Sequence, residues 1–512
     1  MKIKFKLLVV CLLAIIIGRV CLSKEKKDIQ AAVSIPQKIV EVQITPKMPS
    51  IYKAVNSKIF GVNIGFALAR ELDKDSGFVQ LLRAMHPSSL RFPGGTVANW
   101  YHPNLPVYGY KKDEIPHGLG VLYHVQSKRN ENILYNYIRL SKAIGSSAVF
   151  CANVLTGTIE ETLFVLDELK KNKIPILGVE LGNEFNLLPY REKEFTSGTI
   201  YANKVKATAQ AIRSKYPELK IAIVGADLVP DNDKNARSVF MRNWNKQLAA
   251  EHFFDAYVWH FYANCETCDA DKKFDSVYLK NVQNMAPFKT DKLTDIGKGF
   301  VKIYGKERKF WMTEWNISNT SFLENTFTQA AYVFESFLKI IDINAQHNNY
   351  IEITHLHAMD ALINPFKGKI KPVFSNEDEH ATVQYFAFKF LANTLTDEVA
   401  VADQSITCAS PLVKENFICK AFVRKSDQKV FLHFLNRSGS KVKLKINGKS
   451  KTHFSITSVD ADVPYATAGK TIYEKDYPSK VKPIYLRNEQ FKNNSVSIAP
   501  FSFGYIEYDA VQ

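Results

Sequence analysis

The sequence predicts an α/β protein, a closed (β/α)8 TIM barrel followed by a smaller C-terminal antiparallel β-sandwich. Three observations carry this. Eight short apolar runs recur between Phe60 and about residue 395, separated by stretches of helical periodicity. After about residue 397 the hydrophobic period drops to two, between Gly, Asn and Ser turns. The chain has 512 residues, beyond the roughly 250–300 at which one core stops growing, so a large domain and a small one are expected.

In chain order, Lys2, Lys4 and Lys6 precede the apolar stretch "LLVVCLLAIIIG", Leu7 to Gly18. A basic start and an apolar run too short to span a bilayer comfortably read as an export signal, residues 1–23, cleaved after Ser23. The expected location is therefore secreted, periplasmic or cell-surface. Contact with a membrane is expected only through this signal or through an uncleaved anchor. Lipid attachment at Cys21 is disfavoured by the Gly18-Arg19-Val20 before it. Residues 24–58 form an N-terminal segment in which "KIVEVQIT" (38–45) is strand-like and has no helix after it. It is expected to join the C-terminal sheets.

The barrel is placed at 59–396. Its strands are read at 60–66, 88–95, 146–154, 175–183, 220–227, 254–262, 309–316 and 350–359. Amphipathic helices are read at 161–173, 202–216, 328–346 and 382–395. Near-continuous apolar strands followed by helices indicate parallel strands covered on both faces. An open doubly wound sheet is the competitor, but no G-x-G-x-x-G follows the first strand, and eight units favour closure. The sandwich, 397–512, rests on "KVFLHFLNRS", "KVKLKINGKS", "HFSITSV" and "SVSIAPFSFGYIEYD".

The hydrophobic fraction of 46% and charged fraction of 23% are those of an ordinary globular protein. The formal net charge is +16, and loss of residues 1–23 removes four positive charges and leaves +12. Such a surface suits acidic glycans or simply a lysine-rich exterior. No basic block interleaved with aromatics appears, so no nucleic acid partner is expected. Cys408 and Cys419 flank what reads as a hairpin and are candidates for a disulfide. The pair Cys265 and Cys268 is half a zinc knuckle with no second half, so a local disulfide is expected there in place of a metal; no metal and no cofactor are expected.

Sites in such barrels sit at the C-terminal strand ends. The second strand ends in "RFPGGTVANW", with Arg91, Asn99 and Trp100. The fourth ends in Asn183-Glu184, the sixth carries Trp259, His260 and Tyr262, and the seventh ends in Glu314-Trp315. The eighth carries His355 and His357. Two carboxylates from distant strands over one mouth, ringed by aromatics and amides, suit glycoside hydrolysis, which uses one protonated and one ionised carboxyl. Glu180 shares the parity of Glu184 and is expected one layer deeper, as a structural acid. Glu160 and Glu161 open a helix, where acids suit the dipole.

On these residues the chain resembles the retaining (β/α)8 glycoside hydrolases of clan A. The resemblance implies Glu184 as acid/base, Glu314 as nucleophile, and Asn183 as a ligand of the sugar 2-hydroxyl. "LLRAMHPSSLRFPGGT" (81–96) and "WHFY" are similar to the heparanase-like family 79, whereas "TEWN" is similar to the arabinofuranosidase and xylosidase families 51 and 39. The implied function is secreted double-displacement hydrolysis of a poly- or oligosaccharide. Acidic glycans are one substrate class, and arabinose- or xylose-containing plant polymers the other. A non-catalytic carbohydrate-binding protein on the same fold is the reading from another class. Tyr262 and Arg91 are expected to keep Glu314 ionised, with core packing and a barrel-floor ion pair as the plainer roles. Asn99, His260, Trp100 and Trp315 complete the candidate substrate-binding set. Trp259 is out of phase with His260, which leaves stacking and core packing both open.

Overall fold

A computed structural model describes residues 39–49, 51–64, 71–114, 130–263, 293–295, 297–317, 325–363, 381–408, 410–447, 450–464, 466, 468 and 483–510. The expected export signal at 1–23 and the Cys265/Cys268 pair lie outside them.

All eight anticipated parallel strands form and close into one barrel. They are β2 (Gly61–Asn63), β3 (Ser89–Phe92), β4 (Ser147–Cys151), β5 (Ile176–Glu180), β6 (Lys220–Val224), β7 (Ala256–Ala263), β8 (Lys309–Ile317) and β9 (Ile351–Leu356), with β9 pairing back onto β2. They are preceded by β1 (Val40–Lys47). The strand interior is filled from below by Val149, Ala222, Ala256, Val258, Ile353 and the Trp311 indole. Gly178 must be glycine for this packing, because a Cβ there would lie 2.2 Å from the Trp311 ring. Above this apolar plug the inward positions turn polar, with Arg91, Cys151 and Glu180 fully buried. That change of chemistry along the barrel axis marks the end that carries the site.

Local signals set the outer helices. Asp75 caps Ser76–Met85, and Asn132 caps Ile133–Ile144, which stops at Gly145 in a left-handed conformation. Thr158 and Glu161 form a capping box on Ile159–Lys171. Glu161 also accepts from His102 at 3.0 Å, so it serves both a cap and a tertiary contact.

The second domain has two sheets. One orders β10 (Val399–Val401), β12 (Phe417–Arg424), β13 (Lys429–Asn436), β18 (Ser502–Ala510), β15 (Ser450–Ala461) and β16 (Ile484–Phe491). The other orders β11 (Asp403–Cys408), β1, β14 (Val442–Ile446) and β17 (Ser495–Ile498). Pairing is antiparallel except between β1 and β14, where Val40 lies opposite Val442. The chain start thus sits inside the C-terminal domain. Cys408 and Cys419 do not form the anticipated disulfide. They stand on β11 and β12, in different sheets, and both are free thiols.

The two helices that look apolar all round, Phe327–Gln346 and Val383–Thr394, are sandwiched between barrel and β-sandwich. Phe334 packs on Phe503 at 5.4 Å and Phe390 on Tyr505 at 5.8 Å. A helix covered on two sides keeps little polar surface.

Candidate active site

Arg91, on β3, is the hub of the site. It has no solvent exposure and its guanidinium reaches β5, the turn after it and β8. Nε donates to Glu180 Oε2 at 2.9 Å, Nη1 to Glu314 Oε1 at 2.6 Å, and Nη2 to Asn183 Oδ1 at 2.8 Å. A planar fork is the side chain suited to such divergent acceptors, and only fixed partners make burial of its charge tolerable. Glu180 is the deep acid of this network.

Glu184 arrives by another route than strand alternation, because β5 ends at Glu180. The chain turns through Gly182 at φ +94 and Glu184 at φ +52. A Cβ on Gly182 would lie 1.9 Å from the Phe185 ring. Between them, Asn183 is clamped by Asn99, whose Nδ2 donates to the Asn183 carbonyl at 2.8 Å and whose Oδ1 accepts from the Asn183 N–H at 2.9 Å. A left-handed glutamate costs on the order of 1–3 kcal/mol and persists where the surroundings over-determine it, typically at functional sites.

Glu314 arrives through a bulge. From Val258 to His260, β7 advances two residues, while from Trp311 to Glu314 the facing β8 advances three. The extra residue turns Glu314 inward and sends Trp315 outward. Both Glu314 oxygens are bonded: Oε1 accepts from Arg91 and from Asn63 Nδ2 at 3.2 Å, and Oε2 accepts from Tyr262 Oη at 2.8 Å. His260 bridges the two acids, with Nδ1 2.9 Å from Glu184 Oε1 and 3.7 Å from Glu314 Oε2. His357 Nδ1 approaches Glu314 Oε2 to 3.8 Å. A carboxylate oxygen of Glu184 and one of Glu314 lie within 4.8 Å of each other.

The two acids differ in environment. The Glu314 side chain is 6% exposed and that of Glu184 27%. Burial pushes the Glu314 carboxyl up, but the charges of His260, His357 and Arg91, with the Tyr262 hydrogen bond, overcome it and hold the group well below the usual carboxylate range. Burial lowers His260, and its two carboxylate neighbours more than reverse this, so its pKa is raised. Burial, then the Glu314 charge, drives the Tyr262 phenol far up, and it stays a donor at any accessible pH.

Beside Glu184 opens a cleft. Glu184, His260 and Tyr262 border it, with Asp227 and Arg237 at its rim.

Several anticipated substrate contacts are buried. Trp315 has no exposure and packs edge-on against Phe337 at 4.9 Å, in the layer between barrel and helices. Trp100 is 9% exposed and lies against Tyr190. Arg91 and Asn99 have no exposed surface and position other groups. Trp259 is 7% exposed and donates to Asp227 Oδ1 at 3.0 Å, combining core packing with a place in the cleft wall. The two histidines of the eighth strand part company. His355 is buried against Ser89 Oγ at 3.0 Å, and β9 ends before His357, which stays at the mouth.

Asn63, Asp227 and Arg237 were not anticipated. The first two end the "GVN" and "GAD" runs, so the strand-end rule, applied to the first and fifth strands as well, finds them. Glu184, His260 and Glu314 present three donors of metal-ligand type. Both Glu314 oxygens already accept bonds and the Arg91 cation lies 2.6 Å away, which disfavours a second cation there.

No family model and no curated protein matches the chain by sequence. Solved structures do match its fold. The family 51 arabinofuranosidase from Xanthomonas axonopodis pv. citri superposes over 92% of this chain and 100% of its own, at 15% identity and a TM-score of 0.63. The α-L-arabinofuranosidase from Thermotoga maritima covers 91% and 99%, at 16% identity and 0.62. A 4-O-α-L-rhamnosyl-β-D-glucuronidase from Fusarium oxysporum 12S covers 92% and 100%, at 12% identity and 0.55. At these identities the likeness establishes a shared fold of barrel and β-sandwich.

Proposed function

We propose that the protein is a retaining glycoside hydrolase acting by double displacement. The observation that carries this is the approach of the two carboxylates to within 4.8 Å, one buried and held ionised, the other exposed toward a cleft. Retaining enzymes place their carboxyl groups about 5–5.5 Å apart, and inverting ones leave about 6.5–9.5 Å for a water.

Glu314 attacks the anomeric carbon while Glu184 gives its proton to the departing oxygen, so a glycosyl ester forms as the glycosidic bond breaks. Glu184, now ionised, takes a proton from water, whose oxygen displaces Glu314 and releases the sugar. His260, touching both acids, is placed to rebalance charge as the proton leaves and returns. Asn183 turns its Oδ1 to Arg91, so its amide nitrogen is the end left for a sugar hydroxyl.

Likeness to the arabinofuranosidases supports an α-L-arabinofuranosyl substrate. The glucuronidase likeness, the heparanase-like segment 81–96 and the net charge of +16 support a uronic acid instead. A panel of 4-nitrophenyl glycosides, including α-L-arabinofuranoside, β-D-xyloside and β-D-glucuronide, decides the glycone. Turnover with retained anomeric configuration by NMR, abolished in Glu314→Ala, is the expected result. Inversion sinks the mechanism. Wild type and Glu314→Ala equally inert, with glycan binding intact, favours the non-catalytic reading. Chelators are expected to leave turnover unchanged. We also propose export, on Leu7 to Gly18, testable by fractionation of producing cells.

A further inference from the structure

The cleft beside Glu184 is bordered by the proposed acid/base, with His260 and Tyr262, whereas Glu314 is not among the described residues that line it. A proton donor faces the leaving oxygen, so a cleft on its side receives the part of the substrate that departs. Two facts give that cleft a chemistry. Asp227 is fixed by the Trp259 indole N–H at 3.0 Å and faces Arg237 Nη2 at 3.3 Å, yet both side chains stay open, at 40% and 59% exposure. The walls below are apolar, with Leu187, Val258 and Trp259. A carboxylate and a guanidinium side by side above an apolar wall match a sugar ring, which offers adjacent hydroxyls at its edge and C–H groups on its face. The charges also select. Asp227 and Arg237 offset each other's charge, so this edge of the cleft offers hydrogen bonds to hydroxyls without drawing a carboxylate- or sulfate-bearing group.

We propose that this cleft is the leaving-group subsite and that Asp227 and Arg237 select a neutral, hydroxyl-bearing sugar there. This rests on the retaining-hydrolase reading. It adds a consequence, because a sugar held in the cleft can replace water in the second step. Its hydroxyl gives a proton to Glu184 while its oxygen attacks the anomeric carbon and frees Glu314.

The experiment follows turnover of the best 4-nitrophenyl glycoside from the panel with added D-xylose or D-glucuronic acid as acceptor, and measures the ratio of transfer to hydrolysis. Wild type is expected to transfer to xylose at least fivefold better than to glucuronic acid. Arg237→Ala and Asp227→Asn are each expected to lower the xylose transfer ratio at least fivefold, with Arg237→Lys between. Transfer unchanged in Arg237→Ala, or preferred to glucuronic acid, overturns the subsite while leaving the hydrolase reading standing. No turnover of any panel glycoside by wild type overturns both.

Discussion

Arg91 Nη1 donates to Glu314 Oε1 across 2.6 Å, and neither residue has appreciable contact with solvent. The same guanidinium holds Glu180 and Asn183, so the ionised state of one acid and the placement of the Glu184 segment share one support. Arg91→Lys supplies one ammonium for three acceptors, on β5, in the turn after it and on β8. Stability is expected to fall by roughly 3–5 kcal/mol, as when a buried pair is broken. Urea unfolding measures it. Loss of under 1 kcal/mol is incompatible with this account.

Tyr262 Oη donates to Glu314 Oε2 at 2.8 Å. Tyr262→Phe removes a bond worth about 1.5–3 kcal/mol to a charged partner, so kcat/KM is expected to fall roughly tenfold to a hundredfold. The bond favours the ionised acid, and its loss raises the Glu314 pKa. The acidic limb of the pH–rate profile is therefore expected to move to higher pH. A limb that stays put removes Tyr262 from this role.

Glu184→Gln keeps the size of the side chain and removes its proton. On a sugar leaving group the loss is expected to be roughly 10²- to 10⁴-fold. A 2,4-dinitrophenyl leaving group needs no protonation, and its glycosylation step should be nearly spared. Steady-state and burst kinetics on the two substrates separate these cases. Equal losses on both mean that Glu184 is no acid.

Stability should fall as pH drops below about 6.5. Burial pulls His433 down to about 3 and His355 well below the usual histidine range. As pH falls below about 6.5, the unfolded chain binds protons that these folded groups refuse, and stability is lost. His260 and His102 are raised despite their burial, by Glu314 and Glu184 in one case and by Glu161 and Glu114 in the other. Their contribution is complete below about 6.5 and is lost as pH rises through their folded values. Glu314, held low, contributes above about 4.3 and gives that up only in strong acid. His433→Gln keeps a partner for Thr394 and should recover about 1–2 kcal/mol of the loss between pH 6.5 and 5. Melting curves at the two pH values, in variant and wild type, provide the comparison.

Trp315→Phe separates packing from binding. The indole is fully buried against Phe337, so the change should lower Tm by several degrees while leaving KM unchanged. A raised KM at unchanged Tm would return Trp315 to the substrate.

The barrel was legible because parallel strands covered on both faces must be apolar throughout, and helices between them must show one apolar stripe. The acids were legible because a carboxylate at the end of an apolar run has to be satisfied by something nearby. What sits around them was not. Trp315 follows Glu314 directly, and no local signal says which of the two faces the sugar. The Asn99 clamp on Asn183 joins residues 84 apart, and Asn63 reaches Glu314 across 251. The Cys408–Cys419 spacing suggested a hairpin, whereas strand pairing put the two thiols in different sheets.

By itself, then, the sequence determined the eightfold alternation, the period-two domain after it, and the two acids at strand ends, since each is written in hydrophobic period and position. Only the tertiary structure decided how those acids meet. The left-handed turn at Gly182 and Glu184 and the extra residue in β8 aim the two carboxyls at one point. Arg91, Tyr262 and His260 then make one acid an anion and leave the other facing the cleft. Those effects depend on distances of a few ångströms between strands far apart in the chain, and Coulomb and hydrogen-bond terms change over that scale while hydrophobic patterning does not.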